Sequence, residues 1–204
     1  MHTTLQTGSD RDRGQAHTLE GIAAALLILT GVIVALQLTA VTPLTANTAS
    51  QHLQNQAASA AEGALMTAAD RGELKDTVLY WNGSADRFHH SGVSGQYSTA
   101  PPTEFGTILE RSLGAAGLVY NVNVLYVSSA GDQRSRVLVH RGEPSDRAVT
   151  VTRTVTLYDG DRLRAPDESP TNRTLEEADG YFIRDVSRGP LYNVLRVEVV
   201  IWQA

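Results

Sequence analysis

A few polar side chains in this sequence have types and spacings that could bind a metal ion. His89 and His90 follow Asp86, and Asp159-Gly160-Asp161 has the spacing with which a calcium loop begins. However, adjacent residues point apart in an extended chain, and no second cluster has ligand spacing. No glutamate stands at the twelfth position of such a calcium loop. We therefore predict that the chain binds no metal ion and no cofactor.

The residues that could act in catalysis lack the spacing that catalysis requires. The serines of residues 91–95 do not form a Gly-x-Ser-x-Gly elbow, and Glu176-Glu177 stands in a polar stretch typical of a solvated loop. The sequence also lacks a Gly-rich phosphate loop and a His-Glu-x-x-His motif. We predict that the protein is not an enzyme.

Two tripeptides could accept a sugar. Asn82-Gly83-Ser84 and Asn172-Arg173-Thr174 both match Asn-x-Ser/Thr without an intervening proline. Both fall in predicted loops, which is consistent with surface glycosylation. Asn82 and Asn172 are therefore candidate glycosylation sites, provided that this part of the chain lies outside the cell.

The element that would decide this placement is an apolar run near the N-terminus. Residues 21–38 carry no charge, and residues 19–41 contain twelve Leu, Ile and Val side chains. About 18 consecutive apolar residues are enough to cross a bilayer as a helix. Each of these side chains favours insertion by roughly 0.3–0.6 kcal/mol at the membrane centre. The run predicts a transmembrane helix in contact with membrane lipid.

The distribution of basic residues predicts the orientation of this helix. Arg11 and Arg13 precede the apolar run, and the next basic residue after it is Arg71. Because positive charge stays on the cytoplasmic side, the N-terminus is expected inside and everything after about residue 42 outside. We predict a single-pass protein of the cell membrane with an extracellular C-terminal domain.

The residues around the start of the apolar run resemble a known signal. Arg13-Gly14-Gln15, followed by Glu20 and the apolar run, is similar to the class III signal peptide of archaeal type IV pilin-like proteins. The first 55 residues or so look like those of haloarchaeal pilin-like membrane proteins, a largely uncharacterised family. The resemblance implies that a prepilin peptidase cuts after Gly14 and that the helix then packs against those of other pilin-like subunits. It also implies that Glu20 pairs with the freed N-terminal amine of a neighbour.

The position of the glutamate leaves alternatives open. Cleavage after Gly14 makes Glu20 the sixth mature residue, whereas the family's usual glutamate is the fifth. A cut one residue later would start the mature chain at Ala16, and an uncut chain would be a plain anchor. The main alternative function is a monomeric single-pass envelope protein with an extracellular binding domain. A cleaved secretory signal is a third interpretation, although the apolar run exceeds the usual 7–15 residues.

The amino-acid composition indicates the environment in which the protein is expected to be stable and soluble. The 204 residues contain 22 Asp and Glu against 17 Lys and Arg, a formal charge of −5, and Lys75 is the only lysine. Net negative charge keeps a protein soluble in high salt, where its self-repulsion is screened, so the sequence is typical of a halophile. A basic face for nucleic acid is absent. The chain has no Cys, so packing alone must hold the extracellular domain together.

Periodicity predicts the remaining elements and an α+β fold. Residues 1–14 form a cytoplasmic tail or leader, and residues 15–71 a transmembrane helix that extends outward. Residues 72–204 form an extracellular antiparallel β domain of four or five strands with one short helix, capped by residues 101–103. A long acidic loop is expected over residues 159–180. The predicted strands cover residues 77–81, 119–128, 135–141, 148–158 and 191–202. A turn around Gly131 joins two of them as a hairpin, and residues 148–158 alternate between apolar and polar side chains. The inner face of the last strand is predicted to consist of Leu191, Leu195, Val197, Val199 and Ile201. A narrow, alanine-rich apolar stripe is expected on the outward helix from residue 44 to residue 68, and Gly117 is expected to end the short helix.

Overall fold

In the computed structural model, the backbone is described for residues 9–203, and side chains are described for residues 17–36 and 51–203. The chain divides into two compact units, Met1–Gln51 and His52–Ala204. Helix α1 runs over Ser9–Asp70, and the second unit therefore takes in its last turns. An N-terminal apolar helix followed by an antiparallel sheet domain confirms the predicted α+β class.

The centre of the second unit is a four-stranded antiparallel sheet of β3 (Leu118–Val127), β4 (Gln133–Val139), β5 (Val149–Tyr158) and β8 (Leu191–Gln203). Their order in the sheet is β4-β3-β8-β5. The strands β3 and β4 form the predicted hairpin around Gly131, whose φ of 87° suits the turn. The C-terminal strand β8 lies between β3 and β5, so its main-chain groups are paired on both sides.

The alternation of apolar and polar residues in β5 separates a buried face from an exposed one. Val151, Val155 and Leu157 are buried, whereas Thr152 and Thr154 on the other face are exposed. Strand β8 follows the same rule, because four of the five side chains predicted for its inner face are buried and Leu191 is half-buried. The buried ones are Leu195, Val197, Val199 and Ile201. The period of two that the sequence shows is thus the period of a sheet with one packed face, as predicted.

The last part of α1 contributes an alanine-rich stripe to the same hydrophobic core. Ala57, Ala61, Ala64, Leu65 and Ala68 are all buried there. Their spacing of three and four residues places them on one helix face. Their small side chains permit a close approach of the helix backbone to its neighbours. The prediction of a narrow apolar stripe is confirmed for these residues, and the part of it at residues 44 and 48 lies outside the described side chains.

The predicted strand at residues 77–81 is wrong for most of its length. Helix α2 covers Glu73–Leu79, after Gly72 in a left-handed conformation with φ of 81°. Leu74, Thr77 and Val78 are buried on one face of this helix. Burial at helical spacing outweighs the β preference of the individual residues, since strand preference is largely a packing effect. Of the residues 77–81, only Trp81 lies in a strand, β1 (Trp81–Asn82).

The acidic stretch at residues 159–180 is also more ordered than predicted. It contains β6 (Arg162–Arg164) and β7 (Pro170–Thr174), which pair as a small antiparallel hairpin. Leu163 and Leu175 are buried and anchor this hairpin to the core. Two isolated leucines do not make a recognisable alternation in sequence. A second small sheet joins β1 (Trp81–Asn82) to β2 (Arg87–Phe88).

Helix α3 (Glu104–Ser112) confirms the predicted short helix and its cap. The side-chain oxygen of Thr103 accepts a hydrogen bond from the Gly106 backbone N–H, as an N-cap does. A 3₁₀ turn, Gly114–Ala116, follows, and Gly117 with φ of 70° ends the segment as predicted. One face of α3 packs against the core through the buried side chains of Phe105, Ile108 and Leu109.

Candidate functional site

The apolar segment of α1 is the first candidate surface. Within the described residues, His17–Leu36 is the one helical stretch long and apolar enough to cross a membrane. None of these side chains is buried by the part of the chain that the structure describes, whereas the core helix of a soluble protein is mostly buried. Leu19, Leu27 and Ile28 are each about two-thirds exposed or more. An apolar surface of this kind is compatible with a membrane anchor or a signal sequence.

Glu20 is the only acidic residue in this segment, and its side chain is 80% exposed. The Oε2 atom of Glu20 lies 3.6 Å from Nδ1 of His17, one turn earlier on the same helix. This contact is an ion pair only when the imidazole is protonated. The Thr30 hydroxyl donates a hydrogen bond to the Leu26 carbonyl oxygen of the same helix at 2.7 Å. The predicted assembly residue therefore stands near one end of a surface that is otherwise apolar.

The predicted processing residues Arg13, Gly14 and Gln15 lie within the backbone span of α1. Their side chains lie outside the part of the chain for which side chains are described. The predicted cut after Gly14 therefore stays a prediction from sequence.

The first sequon is held tightly by its surroundings. The Oδ1 atom of Asn82 accepts hydrogen bonds from the backbone N–H groups of Ser84 and Ala85, at 3.1 and 3.2 Å. A Cβ atom added to Gly83 would lie 3.0 Å from the Asp179 carbonyl oxygen. The backbone of this sequon is thus packed against another segment of the domain, and Asn82 is half-buried.

The second sequon is exposed and irregular. In the β6–β7 pair, Arg162 is opposite Thr174 and Arg164 is opposite Pro170, so three residues of β7 face one residue of β6. Asn172 is the middle one of these three, and its side chain is exposed. Asn82, Ser84 and the neighbours of Asn172 all border one depression of about 420 Å³, which Asn172 itself does not border. The fold therefore brings the two sequons close together, which their separation in sequence does not reveal.

An acidic cluster lies between α2 and α3. Glu73, Asp76, Glu104 and Glu168 border a cavity of about 510 Å³. Burial, and then the nearby carboxylates, raise the pKa of Glu73 above its ordinary value. Asp76 is paired with the Arg164 guanidinium, whose Nε donates to Oδ1 of Asp76 at 3.0 Å.

The two adjacent histidines have separate environments. His89 is half-buried with its ring centroid 4.9 Å from that of Tyr80, and burial lowers the pKa of its imidazole. The Nε2 atom of His90 is 3.2 Å from the Pro166 carbonyl oxygen. Over the residues that the structure describes, no three His, Asp or Glu side chains are arranged to hold a metal ion.

Sequence reasoning missed an aromatic cluster with a cation against it. The Arg136 guanidinium lies 4.4 Å from the Trp81 ring centroid and 5.5 Å from that of Phe182. The Trp81 ring also meets the edge of Phe88, and its Nε1 donates to the Gly180 carbonyl at 2.8 Å. These residues come from four separate parts of the chain, so no local pattern could have predicted the cluster.

Comparison with known proteins identifies a family but no function. A family model described as a family of unknown function, DUF7288, matches residues 13–201. No curated protein and no solved structure matches the chain.

Proposed function

We propose that this chain, which belongs to the DUF7288 family, is a type IV pilin-like cell-surface subunit anchored by its N-terminal helix. The observation that carries the proposal is the segment His17–Leu36, which is long and apolar enough to span a membrane and whose described side chains are all exposed. Neighbouring helices in the membrane would cover this surface. The single lysine and the formal net charge of −5 of the whole chain support a high-salt environment.

Glu20 would make assembly specific. A carboxylate in an apolar environment is unfavourable unless a cation or several hydrogen-bond donors pair with it. In the proposed assembly the N-terminal amine of a neighbouring subunit, freed by prepilin peptidase after Gly14, is that cation. The attraction between such charges is strong where water is excluded.

One observation favours the alternative of a monomeric envelope protein with an extracellular binding domain. The His17 imidazole is 3.6 Å from the Glu20 carboxylate and could supply its counter-charge within the same subunit. A subunit of that kind would need no neighbour. The two functions therefore differ in whether Glu20 depends on another chain or on His17.

Disulfide crosslinking separates the two functions, because the chain has no native Cys. Single cysteines placed at successive positions from Ile22 to Leu36 would form dimers in the membrane wherever helices face each other. Assembly predicts crosslinking maxima every three to four residues and a loss of these dimers with Glu20→Gln. His17→Gln should leave them unchanged. Val93→Cys, on a 98% exposed side chain, reports random collision.

A monomer predicts low crosslinking at all helix positions, without periodicity and without dependence on Glu20. If His17→Gln and Glu20→Gln reduced the crosslinked dimers equally, Glu20 would instead be paired with His17 of its own subunit. Mass spectrometry of the mature chain tests the processing step independently. A start at Gln15 or Ala16 supports the pilin-like class, whereas an intact leader indicates a plain anchor. A soluble chain starting near Ser50 would indicate a secretory signal.

A further inference from the structure

We propose that Asn172, and not Asn82, is the residue of the folded domain that receives an N-linked glycan. This inference rests on the extracellular placement proposed above. It is carried by the different geometry of the two sequons, since both have the required sequence. A transferring enzyme must reach the asparagine amide and the hydroxyl two residues later at the same time. The structure makes this easy at one sequon and difficult at the other.

The sequon of Asn172 lies on a bulge at an exposed edge. Three residues of β7 lie opposite the single residue Leu163 of β6, so the β6–β7 ladder is unpaired at this point. A bulge of this kind changes the direction of side chains. Within the described part of the chain, the Asn172 side chain has no hydrogen-bond partner. Because Thr171 and Arg173 border the depression and Asn172 does not, the Asn172 amide faces solvent.

The backbone of this sequon is also loosely held. The Thr174 backbone N–H donates to Oε2 of Glu177 at 3.2 Å, and Glu177 is exposed. The Arg173 backbone N–H donates to the Thr171 hydroxyl at 3.3 Å. Both are local hydrogen bonds that water or an enzyme can replace. Neither bond involves Leu163 or Leu175, the buried side chains that anchor the hairpin to the core.

The sequon of Asn82 has the opposite properties. Trp81, which precedes it, is 2% exposed and donates its indole N–H to the Gly180 carbonyl. Gly83, inside the sequon, is packed so closely that an added Cβ would press on the Asp179 carbonyl oxygen. Asn82 is paired with Arg87 across the β1–β2 ladder. Ser84 is exposed, but an enzyme could bind the whole tripeptide only after the segment at Asp179 that packs against Gly83 had moved away.

The covalent step is a glycosyl transfer from a phosphate-activated oligosaccharide. The Asn172 amide nitrogen forms a bond to the anomeric carbon of the sugar. The bond from that carbon to the phosphate oxygen breaks, and the phosphate leaves with the electron pair. The amide nitrogen loses one proton to a base of the transferase. No oxidant or reductant is needed.

The test is the mass of the full-length chain, purified from a host in which a reporter glycoprotein is modified. We expect the wild type and Asn82→Gln to carry one glycan of the same mass, located by peptide mapping on the segment that contains Asn172. Asn172→Gln and Thr174→Ala should lack it. Thr174→Ser, which keeps the sequon, should retain it. A glycan on the Asn82 peptide, alone or together with one at Asn172, would overturn the inference.

Gly92→Asn, made in the Asn172→Gln background, separates this inference from the proposed placement. It creates a new Asn-Val-Ser sequon on an exposed loop, where an added Cβ makes only ordinary contacts of 3.5 Å or more. If this variant carries a glycan while the wild-type chain carries none on Asn172, the inference is wrong. The proposed extracellular placement is then still supported. No modification of either chain contradicts both.

Discussion

The apolar segment His17–Leu36 exposes its hydrophobic side chains, whereas the compact unit His52–Ala204 buries many of its own. In the segment none of the side chains is buried within the chain. In the compact unit Phe88, Tyr120 and Leu157 are completely buried by residues distant in sequence. A local run of apolar residues is sufficient to make the exposed apolar helix, whereas the buried core exists only through tertiary contacts. Substitutions should therefore act on partitioning in one region and on stability in the other.

The largest effect is expected from charges in the apolar segment. Ile28→Arg combined with Val32→Arg opposes membrane insertion by about 3 kcal/mol for each arginine at the helix centre. We expect the protein to move from the membrane fraction to the soluble or degraded fraction, as measured by carbonate extraction and immunoblot. Val93→Arg, on an exposed loop, is the control and should leave the membrane fraction unchanged. Full retention of the double variant would mean that this helix is not the anchor.

The next largest effect concerns a helical glycine of the domain. A Cβ at Gly106 in α3 would overlap the Pro101 carbonyl oxygen, so Gly106→Ala forces α3 away from the preceding turn. Overpacking of this kind lowers the free energy of unfolding by about 1–3 kcal/mol or more. Denaturant unfolding of the full chain in detergent should show the loss.

Gly63→Ala is the matched control for this substitution. Gly63 is also helical, but an added Cβ meets nothing within 4 Å. Since Ala favours a helix over Gly by up to about 1 kcal/mol, this variant should be more stable than the wild type. Destabilisation by both substitutions to a similar degree would contradict the packing argument.

A smaller loss is expected where the cation meets the aromatic cluster. Arg136→Gln removes the guanidinium from the faces of Trp81 and Phe182 and its 2.8 Å hydrogen bond to the Asp86 carbonyl. We expect the free energy of unfolding to fall by about 1–2 kcal/mol. Tryptophan fluorescence, to which Trp81 and Trp202 both contribute, should change in the native state. Arg134→Gln is the control and should be nearly neutral, because Arg134 forms an exposed ion pair with Asp132 at 3.9 Å and exposed pairs contribute little to stability.

The smallest effect is electrostatic and depends on pH. Because burial and neighbouring carboxylates raise the pKa of Glu73, the folded chain binds this proton more readily than the unfolded chain. The resulting stabilisation is fully present below the unfolded-state pKa, about 4.3, and is lost as pH rises through the raised folded-state pKa. Glu73→Gln should therefore raise Tm at neutral pH and low salt.

The same substitution should have little effect on Tm below about pH 4, where Glu73 is protonated in both states. Added salt should also reduce the gain at neutral pH, since it screens the repulsion from Asp76 and Glu104. Glu62→Gln, on the exposed face of α1, is the control and should leave Tm unchanged. A Tm gain from Glu73→Gln that is the same at both pH values would exclude the proposed repulsion.

The sequence by itself determined the elements whose signals are local. The apolar run of α1, the alternation in β5 and β8, the hairpin at Gly131 and the Thr103 cap were all predicted correctly. Each rests on a period or a turn residue within about a dozen positions. The sequons could be found in the same way, because three consecutive residues define them.

Only the tertiary structure decided the features that need contacts between distant residues. Helix α2 replaced a predicted strand because Leu74 and Val78 found a common buried face. The hairpin β6–β7 formed in a predicted loop because Leu163 is buried in the core. For the same reason the two sequons, identical as patterns, differ in structure. Hydrophobic burial depends on which surfaces meet in space, and sequence periodicity reports only which surface each element offers.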